Sequence, residues 1–135
     1  MDTQDFINSM RKITRDARAA YHLTLGKAIE LLAAMPTDMP VEFSDGTTPH
    51  AVASYRGYYE DLAVSNCEGV RSVRDLLDVL RPALGATFTG YKGGKYVVEQ
   101  DTPLWQAEPG DASSVAIIGL EEHGGKAVLV TKDVD

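Results

Sequence analysis

The residues best equipped for chemistry sit in one stretch, Ser54–Val64, where Tyr55, Arg56, Gly57, Tyr58 and Tyr59 are followed by Glu60 and Asp61. A guanidinium can fork onto a phosphate or carboxylate while tyrosine rings beside it stack on a flat ligand. Aromatics at short spacing also fill a core, and on composition that reading comes first. If the stretch is extended, side chains alternate, so Tyr55 and Tyr59 share one face and Arg56 and Tyr58 the other. A ligand-facing Arg56 then brings Tyr58 with it. The same alternation points Glu60 and Asp61 to opposite sides, a poor arrangement for a general acid and base. They read as solvated acids, one of them paired with Arg56.

A second stretch, Ala86–Val98, sets Gly93 and Gly94 between Lys92 and Lys95, with Phe88, Tyr91 and Tyr96 around them. Glycine-rich backbone can present N–H groups to phosphate, and lysine adds a point charge, yet the spacing fits neither a Walker loop nor a dinucleotide fingerprint. A hairpin turn accounts for the glycine pair equally well. Asp45 could hold a ribose hydroxyl, although an aspartate in a turn more often bonds its own backbone. The sequence has no G-x-S-x-G, no H-E-x-x-H and no histidine near its single cysteine, Cys67. Its three histidines, His22, His50 and His123, are scattered beyond any zinc spacing. A protein without catalytic residues, metal or cofactor is expected.

These groups need elements to position them. Phe6, Ile7, Met10, Ile13, Ala17, Ala20 and Tyr21 recur near multiples of 3.6, which predicts an amphipathic helix over residues 2–21. Thr24 is suited to cap a second helix, Leu25 to Met35, that ends at Pro36. Ser72 with Asp75 three residues on predicts a capped third helix with a Val73, Leu76, Leu77, Leu80, Leu84 stripe, closed by Gly85. Strands are expected at Val41–Phe43, Val52–Tyr59, Leu62–Asn66 and Thr102–Ala107, the last anchored by Trp105, and as a hairpin of Val115–Glu121 with Lys126–Thr131. His123 falls on the tip of that hairpin, where exposure is expected. Without regular βαβ alternation, the order predicts an α+β fold, an antiparallel sheet packed with about three helices. Residues 1–23 would form a helix for docking or oligomerisation, and residues 24–135 a single ligand-binding domain.

A chain of 135 residues is one domain in size, and its net charge of −7 argues against a nucleic-acid duplex as partner. Acids dominate from Glu99 onward, so an anion site is expected upstream. No apolar run reaches the about 18 residues needed to span a bilayer, and no secretory leader is recognisable at Met1-Asp2-Thr3, so a cytoplasmic protein is expected.

Several strings carry a resemblance: Leu25-Gly26-Lys27-Ala28-Ile29-Glu30-Leu31-Leu32, Pro40-Val41-Glu42-Phe43-Ser44-Asp45-Gly46, Ser54-Tyr55-Arg56-Gly57-Tyr58-Tyr59-Glu60-Asp61-Leu62-Ala63, Phe88-Thr89-Gly90-Tyr91-Lys92-Gly93-Gly94 and Asp101-Thr102-Pro103-Leu104-Trp105. Together they span most of residues 24–120 and resemble a family of small phage and prophage proteins. That family is similar to the phage anti-Thoeris sponges, which bind cyclic ADP-ribose isomers made by host TIR-domain enzymes and hold them without cleavage; some also sequester cyclic oligonucleotides. The resemblance implies a host-cytoplasmic homodimer, or a higher homo-oligomer, with a small nucleotide signal at its interface. Arg56 and Phe88 would sandwich the adenine, with Tyr91, Lys92 and Lys95 nearby. One departure is that no arginine follows Arg81, where a second phosphate-binding arginine would be wanted. A phage accessory protein acting through contact with a host protein is the alternative.

Overall fold

A computed structural model of the chain describes Thr3, Arg18 and residues 20–58, 60–90 and 93–134. The helix expected over residues 2–21 therefore lies almost wholly outside the described residues, as do Tyr59, Tyr91 and Lys92.

Among the described residues nine strands follow in order as β1 (Pro40–Phe43), β2 (Thr48–Ser54), β3 (Leu62–Cys67), β4 (Arg71–Ser72), β5 (Thr87–Thr89), β6 (Lys95–Val97), β7 (Leu104–Gln106), β8 (Val115–His123) and β9 (Lys126–Asp133). Helix α1 (Leu25–Ala33) precedes β1, and α2 (Val73–Ala83) follows β4. Seven strands form one sheet in the order β2-β3-β7-β8-β9-β1-β4, and β5 pairs with β6 as a separate ribbon.

This corrects the expectation of an antiparallel sheet with about three helices. The sheet is mixed, because β1 lies parallel to β9 and β3 parallel to β7, and the described residues hold two short helices. Parallel neighbours need a long crossover. Residues 68–103, carrying β4, α2 and the β5–β6 ribbon, return the chain so that β7 enters beside β3 in the same direction. Periodicity marks where strands are; it does not show that the C-terminal hairpin slots its last strand against β1.

Local chemistry explains the boundaries. Thr24 Oγ1 accepts from the Lys27 N–H at 3.4 Å and caps α1. At α2 the Ser72 hydroxyl accepts from Asp75 N–H while the Asp75 carboxylate accepts from Ser72 N–H, a reciprocal capping box. Pro49 lies inside β2, which it can do because β2 is an edge strand. The strand expected at Val52–Tyr59 stops at Ser54, so Tyr55 to Tyr58 are not extended sheet.

Alternation along the central strands divides the interior into two cores. Leu62 and Val64 on β3, Leu104 on β7 and Ile117 on β8 join the stripes of α1 and α2 in the larger one. Ala63, Trp105 and Ala116 point the other way and, with Tyr55 and Ala107, make the smaller one. Trp105 is registered against Ala63 on one side and Ala116 on the other. Two alanines flanking a tryptophan leave room on that face for the flat indole and for rings laid upon it.

Candidate functional site

The indole of Trp105 organises this second face. Tyr55 stacks on it with centroids 4.3 Å apart and planes 3° from parallel. Tyr58 stacks farther out, at 5.9 Å and 25°, and His22 meets the indole edgewise at 4.4 Å and 60°. The Tyr55 hydroxyl accepts from the Ser114 N–H at 3.0 Å, and burial raises its pKa above the ordinary phenol value.

Because Tyr55–Tyr58 leave the strand, both Tyr55 and Tyr58 reach Trp105, in place of the alternation expected for extended chain. Gly57 makes this possible. A Cβ added there would lie 2.6 Å from Tyr55 Cε2, so the loop backbone passes directly against the ring. Gly57→Ala forces apart two groups that the stack holds fixed. It is expected to cost about 1–3 kcal/mol, read as a lower urea midpoint, with a change in emission from the single tryptophan.

Asp61 is the largest departure from expectation. Far from being solvated or paired with Arg56, it is fully buried. Arg18 Nε donates to Asp61 Oδ2 at 2.7 Å and Nη2 to Oδ1 at 2.8 Å, a bidentate pair. Trp105 Nε1 donates to Oδ2 at 2.9 Å. The Asp61 carbonyl accepts from the Tyr55 N–H at 3.0 Å and from the Tyr96 hydroxyl at 3.3 Å. The guanidinium carbon of Arg18 stands 4.0 Å over the Tyr58 ring, a cation–π contact. Arg18 Nη1 is buried with no hydrogen-bond partner among the described residues.

His22 sits one turn beyond Arg18, its N–H donating to the Arg18 carbonyl at 2.8 Å, and its Nδ1 lies 2.9 Å from the Leu104 carbonyl. Burial pushes the imidazole pKa below its ordinary 6.5, while the Leu104 carbonyl and Asp61 pull it back up and Arg18 pushes it further down. Between that lowered value and 6.5 the unfolded chain binds more protons than the folded one, so stability rises with pH in this window. Destabilisation is therefore expected to set in as pH falls through 6.5. Urea titrations from about pH 7.5 to about pH 5 should show a slope that His22→Phe reduces.

The expected ligand residues are placed unevenly. Tyr58 is 45% exposed. Arg56 is exposed in the same loop, its N–H donating to the Asp111 carbonyl at 3.3 Å and Nη1 reaching the Gly110 carbonyl at 3.5 Å. Phe88 is half-buried against the larger core and 6.2 Å from the Tyr96 ring across the ribbon. Lys95 is exposed on β6, opposite Thr89. Tyr91 and Lys92 lie outside the described residues. The Tyr96–Asp61 hydrogen bond brings the ribbon of Phe88 and Lys95 to the Tyr55–Asp61 loop.

Other candidates have ordinary partners. Asp45 Oδ1 accepts from the Thr47 N–H at 2.9 Å, and its Oδ2 accepts from Gln106 Nε2 at 3.0 Å. Burial opposes its charge, but the bonds from Thr47 and Gln106 outweigh that and hold the pKa below the ordinary carboxylate value. His123 is exposed beside Glu121 at 2.6 Å. A shallow cleft of ≈ 480 Å³ opens between the start of α1 and Gln100–Asp101, and Arg56, Tyr58, Phe88 and Lys95 are not among its lining residues. Among the described residues no group of three or more His, Cys, Asp and Glu side chains could hold a metal ion, and no helix is long and apolar enough to cross a membrane.

Sequence reasoning missed Arg18, His22 and Asp61 as members of this cluster. The single tryptophan, Trp105, was the one available signal, since a buried indole N–H needs an acceptor. Comparison with protein-family models finds no match, and comparison with curated proteins and with solved structures finds none either.

Proposed function

We propose that this protein is a phage anti-defence sponge: it binds a small nucleotide immune signal of the cyclic ADP-ribose class, with cyclic oligonucleotides as a wider range, and holds it without cleavage. The observation that carries this reading is the Tyr55–Asp61 loop, which presents an exposed Arg56 and a half-exposed Tyr58 on a base of stacked rings, with the Phe88–Lys95 ribbon hydrogen-bonded to its end. The resemblance of the same stretches to small phage proteins supports it from the sequence side. The exposed part of Tyr58 offers apolar contact to a base and Arg56 and Lys95 offer charge to its phosphates, whereas Phe88 packs against the larger core on the ribbon face opposite Lys95.

The mechanism is binding alone. An excess of tight sites lowers the free signal, so the host effector stays inactive. That demands Kd on the order of nM, about −12 kcal/mol, which stacking and charge-assisted bonds supply only in a preorganised and largely buried pocket. A second copy of the chain closing over the loop would supply the burial.

The test is direct. Purified protein is incubated with cyclic ADP-ribose isomers and cyclic oligonucleotides, heat-denatured, and the supernatant assayed. Recovery of intact ligand is the expected result. Arg56→Ala should abolish retention while lowering stability by no more than about 1 kcal/mol, because the residue is exposed and its bonds to Gly110 and Asp111 lie at the surface. Failure to retain any of these compounds, or recovery of a cleaved product, would sink the reading, and a stoichiometric host protein captured from infected cells would favour the accessory-protein alternative.

A further inference from the structure

We propose that the Asp61 carboxylate is the positioning residue of the binding face: by gripping Arg18 it holds a guanidinium over Tyr58 and fixes that ring in the orientation a ligand meets. The inference rests on the sponge reading for what the face binds, but not for what Asp61 does to Tyr58.

Three observations carry it. Both carboxylate oxygens of Asp61 are engaged by Arg18, at 2.7 and 2.8 Å, and one of them also takes the Trp105 N–H. The carbon of the guanidinium so held lies 4.0 Å from the Tyr58 ring centroid, and Trp105 stacks on the same ring at 5.9 Å, so the exposed tyrosine is held by a cation and an indole that answer to the same carboxylate. Lastly, the pair is poorly made for stability, since a desolvated ion pair gains little over apolar packing and here leaves Arg18 Nη1 buried without a partner among the described residues. A costly, geometrically exact contact ending on an exposed aromatic is what positioning a binding surface requires. The Asp61 carbonyl, accepting from Tyr96, ties the Phe88–Lys95 ribbon to the same residue.

Asp61 reaches ligand only through Arg18 and Tyr58, so its test must separate positioning from stability. Asp61→Asn leaves the guanidinium without its countercharge. Adding Arg18→Gln removes that stranded charge while Asn still offers an acceptor to Trp105 N–H, so the double variant should recover much of the lost urea midpoint. Two readouts are then compared in full-length protein. One is Kd for the tightest-binding cyclic ADP-ribose isomer by calorimetry. The other is the rate of Tyr58 nitration by tetranitromethane, followed by peptide mass spectrometry.

Positioning predicts that both variants bind at least tenfold more weakly than wild type and nitrate Tyr58 severalfold faster, although the double variant has regained stability. Affinity and nitration returning to wild type together with stability would overturn it, leaving Asp61 a structural residue. If wild-type protein binds no isomer, the sponge reading fails by itself, and the nitration rates still decide: unchanged nitration in both variants overturns the positioning role, and faster nitration in both sustains it.

Discussion

Asp61→Asn is expected to lower the unfolding free energy by about 3 kcal/mol, the lower end of what breaking one partner of a buried ion pair costs. The substitution keeps the shape and keeps an acceptor for Trp105, so the loss comes from charge. Arg18 would remain against Tyr58 with its two donors facing a neutral amide, whose nitrogen can turn toward them. The lower end applies because the Arg18 side chain retains 14% exposure and can turn partly to water, whereas Asp61 has none. Urea denaturation at neutral pH, monitored by far-UV circular dichroism, measures it. A loss below about 1 kcal/mol, the scale of an exposed pair, would mean that Arg18 is not held as described.

How far the sequence announced this arrangement depends on whether the signal is local. The Ser72–Asp75 capping box and the Thr24 cap are local, and both helices begin where these residues place them. Glycines in a hairpin tip are local as well, and Gly124 and Gly125 occupy positive φ between β8 and β9. What no local pattern encodes is which strand lies beside which. The pairing of β9 with β1 joins Val41 to Ala127, far apart in the chain, and the pairing of β3 with β7 crosses an intervening helix and ribbon.

The candidate site divides along the same line. Tyr55, Arg56 and Tyr58 stood out because they lie within four residues; the core reading describes Tyr55, while Arg56 and the half-exposed Tyr58 reach the surface. Asp61 was misjudged because adjacent acids are ordinarily solvated. Its burial depends on a donor 43 residues upstream and another 44 residues downstream, a distance over which spacing carries no information. The alternation argument failed for a different reason. It assumed strand through Tyr59, and Gly57 together with the hydrogen bond from Asp61 N–H to the Tyr58 carbonyl turns the chain first.

Trp105→Ala should cost about 3–5 kcal/mol, with the upper half of that range expected. Size alone would give the lower half, but the site is unable to collapse. Its neighbours in register are Ala63 and Ala116, whose methyls are fixed to β3 and β8 and have no length with which to fill the space. Tyr55 cannot follow the vacated indole without giving up the Ser114 N–H. The N–H bond to Asp61 goes too, leaving that carboxylate to Arg18 alone. Trp105→Phe keeps an aromatic surface for Tyr55 and loses chiefly the hydrogen bond to a charged acceptor, so about 1.5–3 kcal/mol is expected there. The difference between the two variants in urea midpoint, followed by far-UV circular dichroism because the tryptophan signal is gone, isolates what the rings contribute. Near-equal losses for Ala and Phe would show that the hydrogen bond to Asp61, and not the stacked face, is what Trp105 supplies.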